Sequence, residues 1–116
     1  MIVRLPGKRP TRCRAVIHDN RVFAVAVSSD KNAPMYEQTR NALADADATL
    51  AEAGTDKSRI LTAMVYIADM SQKPEMNRAW DEWADVENPP MRACVGAALE
   101  DRTLVEIVIT GEVIAR

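Results

Sequence analysis

An arginine set between a proline pair and a run of small residues, and a lone glutamate in an apolar strand, are the side chains of this sequence best placed for chemistry. The first lies in Pro89-Pro90-Met91-Arg92-Ala93-Cys94-Val95-Gly96, the second in Leu104-Val105-Glu106-Ile107-Val108-Ile109. With the period of two of a β-strand, Arg92 shares a face with Cys94, Gly96 and Ala98, and Glu106 shares one with Leu104, Val108 and Thr110. A guanidinium fork and a carboxylate thus stand on surfaces that are otherwise small or apolar, where an uncompensated ion costs several kcal/mol. Arg92 and Glu106 can neutralise each other, Arg92 can reach solvent at a strand edge, or a ligand can supply the missing partner. The residues alone leave these alternatives open. Cys94 has no neighbouring base, because the single histidine, His18, falls in a hairpin signal and is expected at the surface; a nucleophilic thiolate is not expected. Two cysteines and one histidine without ligand spacing argue against a metal, and four isolated glycines make no phosphate loop, so no cofactor is expected.

The elements that must position these residues follow from periodicity and turn chemistry. Residues 15–18 and 21–27 read as β-branched strands joined across Asp19-Asn20, a hairpin. From 36 to 53, Tyr36, Thr39, Leu43, Ala46 and Leu50 fall three and four apart, the stripe of an amphipathic helix that Gly54 stops. Residues 59–68, rich in Ile, Val, Thr and Tyr, read as a strand buried on both sides. Asp69 or Ser71 can cap a helix over about 72–84, with Pro74 in its first turn and Met76, Trp80 and Trp83 facing the core. Strands at 91–99 and 104–113 complete the order β-β-α-β-α-β-β. The fold class is therefore α+β, a mixed sheet with two helices packed on one face. Its other, apolar face needs a partner, which points to subunit association.

The chain of 116 residues is one domain, 1–116, long enough to bury about 65% of its unfolded surface. A hydrophobic fraction of 47% with 28% charged residues is that of a soluble globular protein, and excludes disorder as the dominant state. With one Phe, two Tyr and two Trp, the core must come from Ala, Val, Ile, Leu and Met. Two cysteines do not make a disulfide framework, the first residues lack the apolar run of a signal peptide, and no stretch is apolar over the ~20 residues of a membrane helix. A cytoplasmic location is expected, with no membrane contact. Charge is uneven: Arg4, Lys8, Arg9, Arg12 and Arg14 are the basic residues among the first 14 positions, which hold no acid. Removing these from the 15 basic residues leaves 10 against 17 acidic ones. Such an arm can contact nucleic acid or dock on the acidic body of its own or a neighbouring subunit. Without interleaved aromatics or an RNA-binding motif, nucleic acid is the less favoured partner.

The run Pro-x-Arg-x-Cys-Val followed by Val105-Glu106-Ile107 resembles the C-terminal signature of the RidA family, also called YjgF or Rid. The segment Met76-Asn77-Arg78-Ala79-Trp80-Asp81-Glu82-Trp83 places the resemblance nearest the short, divergent YoaB-like branch, and the likeness extends over most of the chain. It implies a chorismate-mutase-like fold, a homotrimer whose sheets form a central barrel, and ligand clefts between neighbours. It implies a hydrolytic deaminase of reactive enamines and imines, turning 2-imino acids into 2-oxo acids and ammonia. In those terms Arg92 holds the substrate carboxylate of a small metabolite, Glu106 positions the attacking water, and Cys94 lines the cleft through its backbone. The sequence departs from the family at two places: Arg12 stands near a usual tyrosine, and Val25-Ala26-Val27-Ser28 replaces a Ser-Gly-Gln stretch. Arg12 and Ala26 are then the residues expected to reshape the substrate site. A trimer that binds small carboxylates without turnover is the leading alternative, and RNA binding or cleavage the third. Glu106 separates the first two, because binding needs only Arg92.

Overall fold

A six-stranded sheet, crossed on one face by two helices, is the whole architecture of the computed structural model, which describes residues 1–114. The strands are β1 (Ile2–Pro6), β2 (Cys13–His18), β3 (Arg21–Val27), β4 (Ile60–Ile67), β5 (Met91–Gly96) and β6 (Val105–Glu112); the helices are α1 (Met35–Ala53) and α2 (Lys73–Trp83). Their order across the sheet is β1-β2-β3-β6-β4-β5, antiparallel throughout except for the parallel pair β4 and β5. The helix β4 needs in order to return parallel is α2, which crosses on the same face as α1.

One strand exceeds the sequence expectation. Residues 2–6, read as part of a basic arm, pair with β2 as an edge strand, so the order is β-β-β-α-β-α-β-β. A five-residue strand with exposed Arg4 and a proline at its end carries little apolar signal of its own, and pairing supplies what its pattern lacks. β5 ends at Gly96 instead of 99.

α1 and α2 cover the face formed by Ala24, Ala26, Ala63, Val65, Val105, Ile107 and Ile109, all buried. Alanines dominate where α1 lies on β3, and Ala42 and Ala46 on the helix are buried too, so the helix approaches the sheet closely. α1 ends at Gly54, whose φ of 90° is the left-handed conformation that glycine adopts without strain; its N–H and that of Thr55 take the last carbonyls. Before α2, Asp69 accepts from the Ser71 N–H at 2.9 Å and hydroxyl at 2.7 Å, which holds its carboxyl below the ordinary carboxylate range and caps a single 3-10 turn leading into the helix.

The opposite face has no cover in the single chain. Three cross-strand rows make it up: Phe23, Thr110, Thr62 and Met91; Val25, Val108, Met64 and Ala93; Val27, Glu106, Tyr66 and Val95. β4 was expected to be buried on both sides; here only its helix-side residues are, the others being at most half-buried. The molecule is 19 Å through its thinnest direction, which accommodates one sheet and one helix layer.

Candidate functional site

Arg92 sits on β5, the edge strand beside β4, with Ala63 as its neighbour in register. Its row in the sheet continues through Ile109 and Ala24, both buried under the helices, so Arg92 points to the helix face. There its Cζ lies 5.2 Å from the centroid of the Trp80 ring, and its Nη1 donates to the Met76 Sδ at 3.7 Å. Both partners belong to α2, and Met76 and Trp80 are four residues apart on its buried stripe. Among the described residues Arg92 has no carboxylate within ion-pair distance. Sulfur and ring contacts orient a guanidinium without neutralising it, so its paired donors keep their capacity for an anion.

Glu106 sits on the other face. It is half-buried between Val27 and Tyr66, with Val95 completing the row, and among the described residues it forms neither an ion pair nor a side-chain hydrogen bond. Mutual neutralisation of Arg92 and Glu106 is thus not what this chain does. Geometry explains why. β5 and β6 are separated by β4, roughly 10 Å, and Arg92 lies three residues along β5 from Val95, the residue in register with Glu106 through Tyr66, roughly another 10 Å. The two backbones are about 14 Å apart with side chains on opposite faces, too far for one small metabolite to touch both within one chain.

The remaining expected residues divide. Cys94 lies on the Arg92 face, a half-buried free thiol packed against the core beside the unpaired edge of β5. Arg12 is exposed in the connection before β2, where it donates to the Thr11 hydroxyl at 2.9 Å. It stands four strands from β5, roughly 19 Å, so within one chain it does not join Arg92. Ala26 is 2% exposed beneath α1, its methyl group spent on packing, and within one chain its side chain is not open to a ligand. Of the basic residues near the N-terminus, Arg14 is engaged by Glu52 and by the Thr49 hydroxyl at 3.1 Å on α1, while Lys8, Arg9 and Arg12 remain exposed.

Sequence reasoning read Met76 and Trp80 as core residues only, because a buried stripe and a platform for a cation share the same spacing. It also assigned no role to Gln72 and Asn77, whose buried side-chain oxygens, near the start of α2, have no hydrogen-bond partner among the described residues. A separate groove of about 470 Å³ between α1 and α2, lined by Tyr36, Arg40, Asp47, Lys57, Glu82 and Trp83 among others, includes neither Arg92 nor Glu106. Its polar groups satisfy one another: Tyr36 donates to Glu82, which raises the tyrosine's pKa, Trp83 donates to Asp47, and Lys57 donates to the Trp83 carbonyl. Among the described residues no cluster of His, Cys, Asp or Glu could hold a metal ion, and no helix is long and apolar enough to cross a membrane.

The family model described as Endoribonuclease L-PSP matches residues 14–113. A RutC family protein of Haemophilus ducreyi is 45% identical over 100 residues, which is 85% of this chain and 86% of that protein. The chain belongs to the YjgF/RutC family. The RutC family protein YoaB of Escherichia coli is 39% identical over 99 residues, 84% of this chain and 87% of YoaB. A crystal structure of a YjgF family member from Neisseria meningitidis superposes with a TM-score of 0.94 at 36% identity, covering all of this chain and 98% of that one. The residues matched by the Endoribonuclease L-PSP model include Ala26, Arg92, Cys94 and Glu106 and leave Arg12 outside.

Proposed function

We propose that this YjgF/RutC protein hydrolyses small 2-imino acids at a site shared between copies of the chain in a homotrimer. Arg92 of one copy holds the substrate carboxylate with its paired donors; Glu106 of a neighbour orients water toward the imine carbon. The glutamate takes a proton from water as the water oxygen bonds to the carbon of the protonated imine, then passes that proton to the nitrogen of the carbinolamine so formed; the carbinolamine hydroxyl gives its proton back to the glutamate as the carbon–nitrogen bond breaks, leaving a 2-oxo acid and ammonia. The observation that carries this reading is the disposition of the two charges: each is half-buried, each lacks an ionic partner among the described residues, and they face opposite sides of one sheet. A site needing both charges is therefore completed by a second copy, and the uncovered face that carries Glu106 is the surface through which that copy can dock.

Ammonia release from freshly generated 2-imino acids tests the chemistry. Glu106→Gln should lower turnover on the order of 10²-fold or more while leaving carboxylate binding intact, the usual scale for removing a general base. Mixing Arg92→Ala with Glu106→Gln subunits by unfolding and refolding together should recover part of the activity, because mixed trimers contain some sites with both native residues. No recovery would place both groups in the same chain's site. Carboxylate binding without hydrolysis in the wild-type protein would instead establish the non-catalytic binding trimer.

A further inference from the structure

The structure assigns to Met76 and Trp80 a positioning role toward Arg92, an inference that rests on the carboxylate-binding reading above. Arg92 lies on an edge strand, where a long flexible side chain has solvent and several rotamers open to it. What restrains it is α2: the ring of Trp80, 5.2 Å from Cζ, and the sulfur of Met76, 3.7 Å from Nη1. Both restraints are themselves fixed, Met76 being fully buried and Trp80 only 6% exposed. Trp80 is further braced by Trp83, with ring centroids 5.3 Å apart and planes tilted by 58°. The choice of partners matters chemically. A carboxylate in their place would occupy the guanidinium's paired donors and cancel its charge, whereas a ring face and a thioether hold the group while leaving its charge for the ligand. Loss of the platform lets Arg92 adopt other rotamers, and the ligand must then bear the ordering cost at binding.

Calorimetric titration with pyruvate, the simplest 2-oxo acid, tests this. Trp80→Leu should weaken pyruvate binding by about twofold to thirtyfold, the span expected for one cation–π contact. Trp80→Phe should restore most of the affinity, and Met76→Leu should produce a smaller loss in the same direction. In an Arg92→Ala background, Trp80→Leu should cause no further loss, since the ring then has no guanidinium to place. A purely structural role would add its effect in both backgrounds. Independently of any ligand, the Arg92 Nε–H resonance should be ring-current shifted in the wild type and in Met76→Leu and should lose that shift in Trp80→Leu; if Trp80→Leu does not fold, Trp80→Phe and Met76→Leu carry the test. Unchanged affinity in the folded variants, additive losses in the Arg92→Ala background, or an unshifted resonance overturns the assignment. A wild-type protein that binds no pyruvate overturns the carboxylate reading itself, and the assignment with it.

Discussion

The identity of the cation at position 92 is chemically specific. A lysine there would keep the charge and could still lie over Trp80, yet it cannot offer two parallel donors to the two oxygens of a carboxylate. Arg92→Lys is therefore expected to bind pyruvate roughly ten- to hundredfold more weakly than wild type, nearly as badly as Arg92→Ala, with thermal stability unchanged. Titration of the three proteins side by side decides it. Near-native affinity in Arg92→Lys would mean that charge alone recruits the ligand, and that the fork is incidental. Arg92 and Glu106 were legible in the sequence as charges out of keeping with their strands. Their placement on opposite faces was not, because a period of two fixes the alternation within each strand but not which face of the sheet either alternation presents; that depends on the register of β4 with β5 and β6.

At the scale of elements, the hairpin at Asp19-Asn20, both helices and the strands carrying Arg92 and Glu106 follow from apolar spacing and turn residues. β1 does not, since an edge strand draws its order from its partner. Nor does the role of Gln38, a polar residue of α1 outside the apolar stripe that marks the helix. It is fully buried and ties α1 to the segment before β6, donating to the Ala33 and Arg102 carbonyls and accepting from the Leu104 N–H, each at 3.0 Å. The clip holds Leu104, one residue before β6 begins at Val105, and so anchors the start of the strand that carries Glu106. Removing the amide leaves three part-buried backbone groups without this partner, at a cost of about 2–4 kcal/mol. Gln38→Ala should accordingly lower the thermal midpoint by roughly 8–16 °C at fixed protein concentration. A drop of only a degree or two would mean that water replaces the amide.

For the whole molecule, the decisive quantity is the uncovered sheet face. Phe23 is 46% exposed, Val95 40% and Val108 39%; Val95 shares the row of Glu106 and Tyr66, and Val108 and Phe23 lie in the next two rows of the same face. A contiguous apolar surface of this kind favours association between copies of the chain. Val108 occupies the middle row, opposite Met64 on one side and Val25 on the other, so a charge there would be desolvated in any assembly that covers the face. Light scattering is expected to give the mass of about three chains for wild type, and Val108→Lys should shift it toward one chain while circular dichroism stays native. The same substitution separates two ideas about the site. If Glu106 acts on a ligand held by a neighbour's Arg92, the monomeric variant loses imine hydrolysis although neither residue has been touched, and pyruvate binding weakens only as far as the neighbour contributes. A monomer that still hydrolyses imines at the wild-type rate would show that one chain brings both groups to the substrate, which its sheet geometry, with roughly 14 Å between opposed faces, does not permit without rearrangement.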